Sequence, residues 1–205
     1  KLRVSPLVAT LGTWYTYAGL AQVIAGTQSI TRFEESFLKL GRFEIGWITA
    51  PIIYMILIII VGYFALKYVN FFHNAYYIGS NKNSARLAGI NIEVFTYVAY
   101  IITGIVSAFA GLVLMARLGS VSISAGSGLE FRNVVALLIG GVSMDGGEGS
   151  VVGAVLGVLF MQIVNNALVL LYIDTAYNKV IIGAILILAV ALDRYTKARR
   201  SSTNA

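Results

Sequence analysis

The 205 residues carry 15 Lys and Arg against 9 Asp and Glu, a net charge of +6, yet only 12% of positions are charged and 58% are hydrophobic. Soluble domains carry charge on about a quarter of their positions, so a chain this apolar excludes water as the solvent for most of its surface and points to lipid. Its basic residues are scattered through connecting segments, with only Arg194, Lys197, Arg199 and Arg200 clustered, a pattern that argues against nucleic acid and reads as a cytoplasmic topology signal.

Lys1 stands where an initiator methionine and an earlier hydrophobic span would be expected, so the chain reads as a fragment. An uncharged stretch over 4–28 carries Trp14, Tyr15 and Tyr17 and, at about 1.5 Å per residue, is long enough to cross a hydrocarbon core of about 30 Å. Pro6 falls in its first turn, where a missing N–H does least harm. From Ile30 to Glu44 the charges of Arg32, Lys39 and Arg42 cancel those of Glu34, Glu35 and Glu44, which suits a solvated loop with a short surface helix.

The clearest span covers 45–69, where the run from Pro51 to Ile60 leaves no polar face and Lys67 is placed to snorkel at the end. A polar connection follows over 70–93, containing a helix-forming patch from Ser84 to Ile90. The next span, 94–116, places Gly104, Ala108 and Gly111 at spacings that let a neighbouring helix approach closely. After an irregular Gly- and Ser-rich stretch, 131–143 is apolar but shorter than the about 20 residues a crossing needs, as in a re-entrant or partial helix. Spans over 151–172, with Gly153 and Gly157 four apart, and over 176–192 complete the chain before a basic tail at 193–205. The expectation is an all-α, polytopic membrane protein with five full crossings and one short helix.

Nine of the fifteen Lys and Arg residues, Lys1, Arg3, Lys67, Lys82, Arg86, Arg194, Lys197, Arg199 and Arg200, fall on one side if both chain ends are cytoplasmic. That count places the 70–93 connection and the tail inside.

No catalytic apparatus emerges. The single histidine, His73, and Ser127 fall on opposite membrane faces in this topology, which excludes a serine–histidine pair. Neither Gly140–Gly141 nor the stretch from Gly146 to Ser150 supplies the lysine of a phosphate-binding loop. With no cysteine there is no disulfide framework or thiolate chemistry, which suits a bacterial inner membrane. Metal and cofactor sites are likewise not expected. Lys179, the ionisable group nearest to a span interior, lies a turn from an end and can snorkel outward, so the spans lack the central charge that ion coupling usually needs. Gln162, Asn165 and Asn166 are the most polar side chains within a span. Amides in lipid bond across helices or line a wet pathway, and both roles stay open for them.

The segment Asn83-Ser84-Ala85-Arg86-Leu87-Ala88-Gly89-Ile90 resembles the cytoplasmic coupling segment of bacterial ATP-binding-cassette permeases that import ribose and related simple sugars. In order and spacing, so do Ala125-Gly126-Ser127-Gly128-Leu129-Glu130, Ile139-Gly140-Gly141-Val142-Ser143, Gly146-Gly147-Glu148-Gly149, Asn165-Asn166-Ala167-Leu168-Val169-Leu170-Leu171 and Ala189-Val190-Ala191-Leu192-Asp193. The opening stretch with Leu11-Gly12-Thr13 is similar to the middle of such permeases, so the resemblance covers essentially the whole chain and implies an N-terminal portion before it. Phe131-Arg132-Asn133, in place of acidic and small residues, and the charged 30–44 loop depart from the pattern.

The resemblance implies a non-catalytic permease subunit forming the pathway for a simple sugar. It also implies ATP-binding subunits in the cytoplasm, an extracytoplasmic solute-binding protein and a second permease copy, as a homodimer or pseudo-dimer. In that setting Leu87 and Ile90 supply apolar anchors to the ATPase, Arg86 a charged contact, and Ala88 and Gly89 room for its surface. Alternatives are a related importer for branched-chain amino acids, nucleosides or a furanone signal, or an ion-coupled secondary transporter.

Overall fold

The computed structural model of the chain describes residues 6–26, 29–122, 125–144, 146–173, 177 and 180–191. Lys1, Arg3, Asp145, Lys179, the basic tail at 193–205 and both ends of the expected 176–192 span lie outside them. The described residues are overwhelmingly helical: α1 (Pro6–Ala25), α2 (Glu35–Arg42), α3 (Ala50–Tyr68), α4 (Asn70–Ser80), α5 (Lys82–Leu87), α6 (Ile92–Leu118), α7 (Leu129–Ile139), α8 (Val151–Leu170) and α9 (Val180–Ala191). The only named strands among them are the two-residue β1 (Glu44–Ile45) and β2 (Ile48–Thr49).

Among the described residues three helices, α3, α6 and α8, are long and apolar enough to cross a membrane. Only 6%, 6% and 11% of their most apolar windows are buried within the chain. Side chains such as Ile58, Ile105 and Ile163 are exposed, and such surface is stable only against lipid or other protein. The chain is thus an all-helical membrane protein. α1 is 20 residues long and free of charge, but Thr10, Thr13, Tyr15, Thr16 and Tyr17 make it more polar than those three helices. The hydroxyls of Thr13 and Thr16 donate to carbonyls of the preceding turn, those of Ala9, Thr10 and Gly12.

The chain divides into two compact units, Lys1–Met55 with Thr103–Ser127 and Ile56–Ile102 with Gly128–Ala205. In the first, α2 packs on the carboxyl end of α6. Gly41 is buried, and a Cβ there would collide with the backbone of Val113, Ala116 and Arg117. Arg42 Nε donates to the Arg117 carbonyl at 3.1 Å, satisfying one of the last-turn acceptors that every helix leaves open. α6 then stops at Gly119, whose φ of 68° is left-handed.

The strands β1 and β2 form a hairpin in register Glu44↔Thr49 and Ile45↔Ile48. Its two-residue loop has Gly46 at φ 64° and Trp47 at negative φ, the type II′ arrangement that matches the natural twist of paired strands. Phe43, Tyr54 and Phe109 continue from the hairpin as edge-on ring contacts of 6.0 and 5.2 Å.

In the second unit, α7 is 11 residues long, about 16 Å at the helical rise, and so covers only half of a bilayer core. It packs on α8 through glycines. A Cβ on Gly157 would strike the Ala136 carbonyl and lie 2.9 Å from Gly140 N, and one on Gly153 would strike the Gly140 carbonyl. Beside this contact Val135, Ala136 and Met161 form a small core, extended by Ile182, Ile185 and Leu186 of α9.

Candidate functional site: two short helices and the loop packed against them

The chain between α3 and α6, expected as a polar connection, consists of two helices joined by single-residue corners. Val69, extended at φ −96° and ψ 109°, separates α3 from α4. Asn81, at φ −155° and ψ 107°, ends α4 and starts α5: its N–H donates to Tyr77 O, while its side-chain Oδ1 accepts from Asn83 N at 2.9 Å and Ser84 N at 3.1 Å. An asparagine in this position satisfies two of the donors a helix start leaves open and contributes about 1 kcal/mol.

The other end of α5 is closed by a Schellman motif. Gly89, at φ 81°, donates to Arg86 O, and Ile90 N donates to Ala85 O, each at 3.0 Å. Two residues on, Asn91 Oδ1 accepts from Val94 N at 3.1 Å and begins α6. A six-residue helix has little stability of its own, and these caps hold α5 in place at both ends.

The eight residues singled out from the sequence divide by burial. Ala85 is buried at 3% exposure and Ile90 is half-buried, whereas Leu87 is 91% exposed and Asn83, Ser84, Arg86, Ala88 and Gly89 are also exposed. α5 therefore presents one apolar side chain, Leu87, next to the Arg86 cation, with a second exposed cation, Lys82, at its start, while Ile90 is half-buried and its N–H closes the cap.

Contacts invisible in the sequence fix α4 from below. The loop between α7 and α8 starts with a second Schellman motif, in which Gly141 (φ 78°) donates to Leu138 O and Val142 to Leu137 O. It then closes on itself through Ser143 N to Glu148 O and Gly146 N to Ser143 O. Ser150 Oγ accepts from Gly153 N at 3.0 Å and starts α8.

The middle of this loop lies against the last turn of α4. A Cβ on Gly79 would collide with the backbone of Gly146 and Gly147, and one on Gly147 would come within 2.7 Å of Ser80 N. Tyr76 adds a hydrogen bond from its hydroxyl to Gly149 O at 3.1 Å. Gly146 and Gly147 are both left-handed, at φ 85° and 81°, so glycine is required here for conformation as well as for space.

A cavity of about 330 Å³ opens beside this contact, lined by Tyr63, Leu66, Lys67, His73, Tyr76, Ser150 and Val151. Lys67 Nζ lies 5.6 Å from the Tyr63 ring centroid and 5.3 Å from that of Tyr68, so the ammonium expected to snorkel rests on aromatic faces. His73 Nδ1 is 3.3 Å from Leu66 O, where a proton on that nitrogen ties α4 to the last turn of α3. Among the described residues no group of three or more His, Asp or Glu side chains could hold a metal ion.

The amides considered for the pathway sit in the second half of α8. Gln162 and Asn166, one turn apart on one face, are exposed, and Asn165 is half-buried with an interaction of its own. Of the four glycines assigned to helix packing, Gly153 and Gly157 meet α7, whereas Gly104 and Gly111 have none of the described residues within 4 Å of a built Cβ. Arg132, noted as a departure from the permease pattern, keeps its Nε buried without a hydrogen-bond partner.

A hydrophobic helical chain with a doubly capped helix between two spans has the makings of a membrane transport component, and comparison with known proteins defines the class. Residues 1–190 match the profile of the family described as branched-chain amino acid transport system / permease component, and the chain belongs to that family. It is similar to the D-allose transport system permease protein of Escherichia coli (strain K12), with 34% identity over 189 residues, 92% of this chain and 58% of that protein. The ribose import permease protein of Bacillus subtilis (strain 168) is 34% identical over 97% of this chain and 62% of its own length. The L-arabinose transport system permease protein of Escherichia coli (strain K12) is 35% identical over 98% of this chain and 62% of its own length. The chain thus spans about three fifths of the curated relatives it matches. No solved structure matches it significantly.

Proposed function

We propose that this chain forms part of the permease of an ATP-driven importer in a bacterial inner membrane and contributes to the pathway of a simple sugar. The observation that carries the reading is α5, a short helix braced at both ends that offers Leu87 and Arg86 outward. An ATP-hydrolysing subunit with an apolar groove and an acidic rim would seat such a helix, with Leu87 as the desolvated anchor. Rocking of the ATPase subunits then moves the permease as packed bodies, opening the pathway to one side at a time. An extracytoplasmic solute-binding protein delivers the sugar, and a second permease copy completes the pathway. The names of the relatives support a monosaccharide as solute, since they specify allose, ribose and arabinose. The family description keeps branched-chain amino acids as a second reading.

The test is co-purification of the full-length permease with the ATPase subunit encoded beside it, comparing wild type with Arg86→Glu and Leu87→Asp. The expected result is capture by wild type and at least about tenfold weaker capture by both variants, the loss typical of removing an interface anchor. Capture that is absent in wild type, or indifferent to both substitutions, overturns the reading in favour of an ion-coupled transporter. Uptake of labelled monosaccharides in competition with leucine separates the two solute classes.

A further inference from the structure

Between the face of α5 that would meet an ATPase and the spans that would line a pathway, motion needs a route. α5 is tied to α6 by the Gly89 Schellman motif and Asn91, and to α4 by Asn81. The last turn of α4 has a further neighbour that is distant in sequence, the 146–149 loop, with backbone packed on backbone at Gly79 and Gly147. That loop is short and closed, being held by the Gly141 Schellman motif on the α7 side, the Ser150 cap on the α8 side and the Ser143–Glu148 bond across its base. Backbone packed on backbone, with only the short Ser80 side chain beside it, leaves few rotamers to absorb a displacement. Any shift of α4 and α5 must push the loop directly, and the loop is continuous with the glycine-packed pair α7–α8.

From this geometry we infer that Gly79, Gly147 and Tyr76 are positioning residues for energy coupling: they make α4–α5 and α7–α8 one moving body, so that a displacement of α5 reaches the helix bearing Gln162, Asn165 and Asn166. The inference rests on the importer reading for the source of the motion, but the joint itself is a property of this chain. Tyr76 serves as a lateral pin, because its hydroxyl bond to Gly149 O opposes sliding of α4 along the loop. A methyl group at Gly79 or Gly147 would part the surfaces and let the two bodies move separately.

The experiment uses the full-length permease reconstituted in proteoliposomes with its ATPase subunits and solute-binding protein, as wild type, Gly79→Ala, Gly147→Ala and Tyr76→Phe. ATPase capture, ATP hydrolysis and labelled sugar uptake are measured on the same samples. Both alanine variants are expected to keep ATPase capture and hydrolysis while uptake per ATP falls about tenfold, a loss within the range for mutations along a coupling route. Tyr76→Phe, which changes no shape, is expected to lose about threefold, in line with one hydrogen bond. Uptake per ATP unchanged in folded alanine variants overturns the inference.

A second measurement needs neither ATPase nor transport. Spin labels at Lys82→Cys and Val152→Cys in the full-length permease report the separation of α5 from α8, with one narrow distance expected in wild type and a broadened distribution after Gly79→Ala. A broad distribution in wild type, or a narrow one that survives Gly79→Ala, overturns the joint. If wild type fails to capture the ATPase while the narrow distance behaves as expected, the importer reading falls and the joint stands.

Discussion

α6 and α8 carry the same sequence device with opposite results. Each has glycines spaced to bring a second helix close, Gly104 and Gly111 in one and Gly153 and Gly157 in the other. In α8 both glycines are filled by the backbone of α7, whereas in α6 none of the described residues comes within 4 Å of a Cβ built at either. Small residues permit close approach but do not supply the partner. α8 has one because α7 is too short to cross the bilayer and must find cover for its ends in protein. Among the described residues the glycines of α6 stay open.

This contrast predicts the largest stability effect at Gly157. Gly157→Leu has to drive α7 off α8 and is expected to destabilise the full-length protein by about 3 kcal/mol, at the upper end for overpacked cores, seen as a drop in melting temperature in detergent. A loss smaller than that from the same change at Gly104 would reverse the comparison. A middle-sized effect belongs to the caps of α5. Asn81→Ala is expected to cost about 1 kcal/mol, read as faster hydrogen exchange at the Asn83 and Ser84 amides with the rest of the protein unchanged. The smallest effect is expected for Gly104→Ala, where a methyl group enters open space and the helix gains about 0.8 kcal/mol in propensity. A clear fall in melting temperature there would instead reveal a helix from elsewhere seated on α6.

How much of this was legible in the sequence varied with the range of the interaction. The long apolar helices α3, α6 and α8 follow from hydropathy, because lipid selects for composition alone. The patch from Ser84 to Ile90 could be read as a short helix on the strength of local signals, and its caps, Asn81 and Gly89, are residues whose chemistry is local too. The hairpin from Glu44 to Thr49 overlaps the expected 45–69 span, since Ile45, Trp47 and Ile48 are as apolar as the helix that follows; Gly46 leading a two-residue loop is its one local signal. α4 was hidden by its aromatic residues and by Val69, an N-cap without a side-chain hydrogen bond. The seat of Gly147 on Gly79 had no local signal, because glycines required by a distant backbone look the same as glycines required by a turn.

Trp47 stands at the hairpin tip, its ring fully exposed among the described residues. Indole emission follows the polarity around the ring, so the colour of this residue is set by its surroundings and hardly at all by the fold. The hairpin thus carries a built-in optical probe of whatever medium, lipid, water or a partner protein, meets the permease at that boundary.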